Sequence, residues 1–494
     1  MKSPCSARRL TLAVLPAVLA LGGCLSYERP TAAAALDNYS ELQEQEKHLL
    51  PPDLELLTLA EAQRIALANN PDFRSIQFTI DAARARYYQS FSSYAPTLNA
   101  GMSVSQSFSK MYSSRNTPRT SGQNESYRPS LSGQWLIFDS LQREMNILSK
   151  KYALRQSEAA VADARRLLLR AVAYAYNDIQ LAHARREIVQ AQMEYSQDML
   201  ADAERKNNAG TVLLSDVLNF RVQLRNAQLE LVKVDYNIQA ALYVLAGYLG
   251  LSDGTIPDTV KFPAIAMPQA PVLPPVEVYL DQALANRPDL RNYREQLKVA
   301  KYNYYGAWGA FGPTVTANYE LSYNAAHSIS HGAGSSNNLT GTGAFSYGIS
   351  ASWNLFNGFS DYFNLRIAGA NVAEVDYLLA QVWINVITDV RTAYENLRSS
   401  VRQAKLSKEI CDLTYETRKL VENEYNAGTV LVTRINEAER DLVEAQNNLA
   451  TAIVNISNAQ AQLDAAVYAL QNPADDHAES RADGPQKPAQ EVTK

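Results

Sequence analysis

Between Asp139 and Ala209 the chain carries neither glycine nor proline. A continuous helix over that stretch would be about 100 Å long at the standard rise per residue. A second such stretch runs from about Ser360 to Ala427, interrupted by the single glycine Gly369. No ordinary globular domain holds a helix of this length. The chain must therefore be organised around two rods.

Each rod is followed by a returning segment with a strict heptad seam. In the first, Val217, Phe220, Leu224, Ala227, Leu231, Val234, Ile238, Ala241 and Leu245 step by three and four. In the second, Ile435, Ala438, Leu442, Ala445, Leu449, Ala452, Ile456, Ala459 and Leu463 do the same. A 3.5-residue period predicts left-handed coiled-coil packing. Alanines between the larger residues let the backbones approach closely. The turns from rod to return fall at Asn208–Leu213 and Asn426–Leu431, around Gly210 and Gly428.

Those turns belong to a duplication. Ala66-Leu-Ala-Asn-Asn-Pro71-Asp-Phe-Arg74 returns as Ala283-Leu-Ala-Asn-Arg-Pro288-Asp-Leu-Arg291, and Pro96-Thr97 as Pro313-Thr314, both at an offset of 217. Trp135 and Phe138 return as Trp353 and Phe356, and the two turns repeat as well, at an offset of 218. A register held over this length marks an internal repeat. Each half reads helix, strand, strand, very long helix, turn, long helix. Thr58-x-x-Glu61 reads as a capping box opening the first helix. Pro71 and Pro288 predict a break in the opening helical stretch of each half.

The strands alternate in polarity. Leu98, Ala100, Met102, Val104 and Phe108 share one face, with Leu131, Gly133, Trp135 and Ile137 on the return strand. The second half offers Val315, Ala317, Tyr319, Leu321 and Tyr323, then Phe345, Tyr347, Ile349, Ala351, Trp353 and Leu355. Period two means one apolar and one wet face. Strands of about ten residues suit a membrane barrel. An isolated hairpin in each half has no second sheet to cover its apolar face. The intervening Tyr112–Ser126 and Asn324–Thr342, rich in Ser, Gly and Asn, read as exposed loops. His327 and His331 lie in the second and read as solvated.

The first residues read as an export address. Lys2, Arg8 and Arg9 precede a short apolar core, Leu10 to Leu21, too short to span a bilayer. Leu21-Gly22-Gly23-Cys24 resembles the bacterial lipoprotein cleavage box, so Cys24 is the expected site of a covalent lipid, and several acyl chains anchor stably. Cys5 would be lost with the signal, leaving Cys411 alone, and no intrachain disulfide is expected. The net charge of -5 argues against a nucleic-acid partner. No nucleophile elbow, phosphate loop or zinc-spaced cluster is present, so no enzymatic activity, metal or cofactor beyond that lipid is expected. The parts are then a signal at 1–23, a lipidated segment at 24–56, repeat one at 57–250, a linker at 251–274, repeat two at 275–472, and a disordered tail at 473–494 whose prolines and charges leave little to bury.

Leu59-x-Glu61-Ala62, Ala66-Leu67-x-x-Asn70-Pro71, Pro96-Thr97, Trp135-x-x-Phe138-Asp139 and both Ala-Gly-Thr-Val-Leu turns occur in duplicated order. In this the chain resembles the TolC-like outer-membrane efflux protein family from about Leu57 to Leu470. The resemblance implies a mainly α fold with a β membrane part. Three chains would pool four strands each into one barrel, and their helices into one hollow tunnel reaching into the periplasm. It implies a homotrimer that meets a periplasmic adaptor and an inner-membrane pump, and a passive duct for small toxic compounds. Protein secretion through the same duct is the second reading. A periplasm-spanning adaptor lipoprotein is the third, and it would show one helical hairpin without duplicated strands. The turns at Gly210, Thr211, Gly428 and Thr429 would face the adaptor. The family's gate maps onto Asp216, Arg434, Glu437 and Tyr425. Two positions depart from the family: Val430 stands where some members have a gate arginine, and Arg434 reverses a charge. Arg434 is therefore expected to donate to Asp216 or Glu437.

The lipid address generates the first prediction. Cys24→Ser abolishes palmitate labelling and blocks cleavage by the lipoprotein signal peptidase. A variant that still labels would place the lipid on another residue.

Overall fold

The computed structural model describes residues 55–111, 120–251, 253–257, 259–267, 273–331 and 336–469. The export signal, Cys24 and the tail from 473 onward lie outside the described residues.

The two halves fold alike. Half one contains α1 (Leu59–Asn69), α2 (Pro71–Ser90), β1 (Thr97–Met111), β2 (Thr120–Phe138), α3 (Gln142–Asn208) and α4 (Leu214–Leu249). Half two contains α5 (Val276–Asn286), α6 (Pro288–Trp308), β3 (Thr314–His331), β4 (Ser336–Ser352), α7 (Ser360–Asn426) and α8 (Val432–Val467). The rods α3 and α7 are 67 residues each, and the returns α4 and α8 are 36 each.

Local chemistry sets the boundaries. Thr58 caps α1 by accepting the Glu61 N–H at 3.3 Å. The break at each proline is real: Pro71 and Pro288 occupy the first turns of α2 and α6, where a missing N–H costs nothing. Asn70 caps the first of these breaks through the Phe73 N–H at 3.0 Å. The strand-to-rod turns use two consecutive left-handed residues in both halves, Ser140 and Leu141, then Gly358 and Phe359. Above each turn a tryptophan indole donates to a backbone carbonyl at 2.9 Å, Trp135 to Tyr94 and Trp353 to Phe311.

The seams bury as their period requires. Val217, Phe220, Ala227, Val234, Ile238 and Leu245 of α4 are buried, as are all the α8 seam residues named above except the half-buried Leu449. Each large aliphatic so buried contributes about 1.5–3 kcal/mol. Two further cores sit higher. One gathers Leu57, Ile65, Val172, Tyr176, Ile179, Leu245 and Leu249. The other gathers Val386, Val390, Leu397, Ile456 and Leu463 around Ala283. The 251–274 segment is more than a linker. Leu251 and Ile256 are buried in the first core, and Phe262 packs against it. A parallel bridge joins Leu56 to Lys261. It contributes apolar surface because α3 and α4 alone leave that core open to water.

The four strands form one antiparallel sheet in the order β1-β2-β3-β4. They run 15, 19, 18 and 17 residues, longer than the ten or so expected. Most of the expected loops are strand: β2 takes in 120–126, and Asn324–His331 and Ser336–Thr342 are paired. The physical reason is that a ladder needs backbone partners, not apolar side chains. Polar cross-strand pairs continue it, including Ser105 with Ser126 at 2.7 Å, Gln106 with Glu125 at 2.9 Å and His327 with Asn337 at 2.7 Å.

At the break in half two, Arg287 stands where half one has Asn70. Its side chain is 3% exposed and binds Asp289 at 2.6 Å and Asp389 at 3.1 Å. It also donates to the Ala466 carbonyl, and Arg166 donates to that of Ala465. Two buried guanidiniums thus meet the C-terminal carbonyls of α8, where the helix dipole favours cations. Burial alone would raise the Asp289 carboxyl, but Arg287 holds it below the usual range. We expect Arg287→Met to cost about 3 kcal/mol in denaturant unfolding, because it strands Asp289 without its partner. A depressed carboxylate contributes stability above its unfolded pKa of about 4 and loses it as pH falls through the native value. The stability gap between the unaltered chain and Asp289→Asn should therefore narrow below about pH 4.

Candidate functional site

The free ends of the two helical hairpins come together. Both rod-to-return turns are built alike, with Gly210 and Gly428 at φ +76°. Thr211 returns its N–H and hydroxyl to the Lys206 carbonyl at 3.0 and 2.9 Å, and Thr429 does the same to Glu424 at 3.0 and 2.8 Å. The turns satisfy their own polar groups and leave leucines outward: Leu213, Leu214 and Leu431 are 72%, 62% and 77% exposed. Behind them an apolar cluster joins the hairpins, with Met199, Ala203, Val217 and Phe220 against Val421, Val432, Ile435 and Ala438.

All four expected gate residues lie here, but they do not form one network. Tyr425 packs edge-on against Phe220 with ring centroids 6.0 Å apart, under the Lys206 ammonium. Burial, with Asp216 and Asp202 nearby, pushes its phenol up. Asp216 sits in the first turn of α4, half-buried, where the helix dipole favours an anion. Arg434 sits in the first turn of α8, where the dipole opposes it, and Glu437 one turn on answers it at 2.8 Å. Glu437 is thus the partner Arg434 finds, and both are about half exposed.

The contact between hairpins differs from the contact within them. Along α3, Arg166 donates to the Ala465 carbonyl, Asn177 to Asn458 at 2.8 Å and Arg185 to Thr451 at 3.3 Å. Further down, Tyr195 lies under Arg418, its ring centroid 4.0 Å from the guanidinium carbon, and Lys206 donates to Asn426 at 3.3 Å. These rungs recur every 8 to 11 residues of α3. Arg418 also pairs with Glu422 and Glu439, both at 3.1 Å. Burial, augmented by Glu422 and opposed by Arg418, raises the Glu439 carboxyl. Sequence reasoning missed Tyr195, Arg418 and Glu439. The one available signal was the Arg418–Glu422 spacing, which looks like any surface pair.

At the other end, the apolar face of the sheet is uncovered. Met102, Phe108, Phe345, Tyr347 and Ile349 are 66–82% exposed. Two further apolar rows at heptad spacing lie open on the rods and returns. They are Leu218, Val222, Leu229, Val232, Tyr236 and Tyr243 of α4, and Leu406, Ile410, Leu413 and Leu420 of α7. Among the described helices, none is long and apolar enough to cross a membrane.

The family model for outer membrane efflux protein matches residues 63–251 and 279–467, and the chain belongs to that family. It is 24% identical to the probable efflux pump outer membrane protein TtgC of Pseudomonas putida, covering 78% of this chain and 77% of the relative. It is 23% identical to the probable outer membrane lipoprotein SilC of Salmonella typhimurium, covering 78% and 80%. Among solved structures, the outer-membrane channel OprN superposes with a TM-score of 0.68 at 20% identity, over 83% of this chain and 89% of that one. The outer membrane protein VceC of Vibrio cholerae gives 0.67 at 18%, over 83% and 95%. The fold is that of these channels.

The tip turns yield a direct test. At φ +76° a β-branched side chain is strained by about 1–2 kcal/mol, whereas asparagine tolerates the conformation. Gly428→Val should therefore raise hydrogen exchange across 424–434, and Gly428→Asn should leave it near the original level.

Proposed function

We propose that this chain is the outer-membrane duct subunit of a tripartite export system, passing small toxic compounds without catalysing a reaction. The observation that carries the reading is an open sheet of four strands whose apolar face is bare and whose outer strands β1 and β4 each have a single partner. Four strands are too few to close, since the smallest membrane barrels need about eight. Several copies must share their strands, which fits the trimer the family implies. In such an assembly the apolar face meets lipid and the face carrying Asn99, Ser103, Ser132, Asn318 and Ser346 meets water. The open heptad rows on α4 and α7 then pair between copies, so that strand closure and helix packing occur together.

The relatives support the rest of the reading. TtgC and the solvent efflux pump protein SrpC of Pseudomonas putida carry efflux in their names. SilC is named a lipoprotein, in keeping with a lipid on Cys24 and anchorage in the outer membrane. The hairpin ends, with Gly210, Thr211, Gly428, Thr429 and their outward leucines, form the surface for a periplasmic adaptor and its inner-membrane pump. Asp216, Tyr425, Arg434 and Glu437 line the narrow end in this reading.

Planar-bilayer recording of the purified protein tests it. The chain should insert as a trimer and conduct. Arg434→Ser removes a cation that symmetry places near the axis and should raise conductance. Asp216→Ala removes an anion and should weaken cation selectivity, more at low salt than at high. A chain that conducts but shows neither change would put the constriction at other residues, and a chain that inserts without conducting would refute the duct.

A further inference from the structure

Within each hairpin the helices are held by an apolar seam. Between the hairpins the ties are separate polar rungs along α3, supplemented at the tip by one apolar cluster. Apolar contact has no preferred direction, so the cluster tolerates sliding. A rung with fixed geometry does not.

The Tyr195 rung has such geometry. Arg418 lies on α7 and is anchored from both helices of the second hairpin, by Glu422 of α7 and Glu439 of α8. Its side chain is 17% exposed and that of Glu439 13%. Two carboxylates therefore fix the plane of the guanidinium, and its remaining partner is the face of Tyr195 on the first hairpin. A desolvated cation–π contact is stronger than one in water. The Tyr195 hydroxyl is buried and meets no hydrogen-bond partner of ordinary geometry among the described residues, so the ring makes the tie. Beside it opens a cleft of about 450 Å³, lined by Tyr195, Met199, Phe220, Arg434, Glu437 and Glu439. Open space forfeits the dispersion that close packing would supply. On the tip side of this level the hairpins are joined by the apolar cluster, which sets no fixed geometry. Arg434 and Glu437 pair within one helix and cannot do so.

We propose that the Arg418–Tyr195 contact, with Glu422 and Glu439 as positioning residues, is the lock that sets the spacing of the two hairpins above the tip and so the resting width of the duct. The proposal rests on the duct reading above. It places the lock about 15 Å inside the tip turn, ten residues up α7 from Gly428, rather than among the expected gate residues.

The test uses the full chain in detergent and in planar bilayers, with spin labels at Asp198→Cys and Glu416→Cys, both exposed, in a Cys411→Ser background. Tyr195→Leu and Arg418→Gln should each add a second, longer label-to-label distance and raise the open-channel fraction about tenfold, the shift one desolvated cation–π contact supports. Tyr195→Phe keeps the ring and should match the unaltered chain in both readouts. Glu439→Gln keeps the shape of the anchor and should give an intermediate shift even if Arg418→Gln folds poorly. The double variant Tyr195→Leu/Arg418→Gln should go no further than either single change, because both break one contact. Unmoved distances in Tyr195→Leu and Glu439→Gln would overturn the lock, as would Tyr195→Phe behaving like Tyr195→Leu. If the unaltered chain fails to conduct, the duct reading falls while the distances still decide the lock. If it conducts and the distances do not move, the lock falls and the duct stands.

Discussion

A helix of 67 residues in water has no domain core to fold into. It persists because another helix runs beside it, burying one side chain every three or four residues. That constraint organises the molecule. Each rod needs a return, so each half is a hairpin. The returns are 36 residues, about half the rod, so the upper part of each rod needs different company. It comes from α1 and α2 on α3, and from α5 and α6 on α7, with α6 bridging to α3 through the stacked Tyr152 and Tyr302. The duplication supplies every partner twice.

One chain still cannot satisfy the constraint alone. The second heptad rows of α4 and α7 lie in the open, and so does the apolar face of the sheet. These exposures lie toward opposite ends of a molecule whose rods alone are about 100 Å long, yet repeated copies around one axis, as proposed above, would cover both. The proposed assembly would answer two separate physical deficits at once, one of side-chain burial and one of unpaired strand edges. The aromatic residues around the strand-to-rod turns, Trp135, Trp353, Phe138 and Phe356, fall where the apolar face ends, as amphipathic rings do at a membrane surface.

The hairpins are held to each other more loosely than their helices are held within them. A duct that must open benefits from that difference, because rigid hairpins can shift if the rungs between them exchange partners. Three shielded arginines divide this labour by position. Arg166 and Arg287 fasten the upper end to the α8 carbonyls, and Arg418 fastens the lower end to a tyrosine ring. A carbonyl fixed in a helix end cannot move without unfolding it, whereas an aromatic face can be left and regained.

The rods, the seams, the breaks at Pro71 and Pro288, the glycine turns and the duplication were legible in the amino-acid sequence, because each arises from periodicity or backbone chemistry within a few residues. Gly210 and Gly428 declared themselves because little else adopts their conformation. The strand limits were not legible: polarity marks where lipid ends, and the ladder at Asn324–His331 continues beyond it on backbone bonds and polar side-chain pairs. Nor was the packing of Ile256 and Phe262 against α3, or the meeting of Arg287 with Ala466, or of Arg418 with Tyr195. The sequence by itself determined the helical parts, their lengths and their order. Tertiary structure decided which polar groups from distant parts of the chain were brought together and shielded from water, since pairing across more than a hundred residues leaves no local pattern to read.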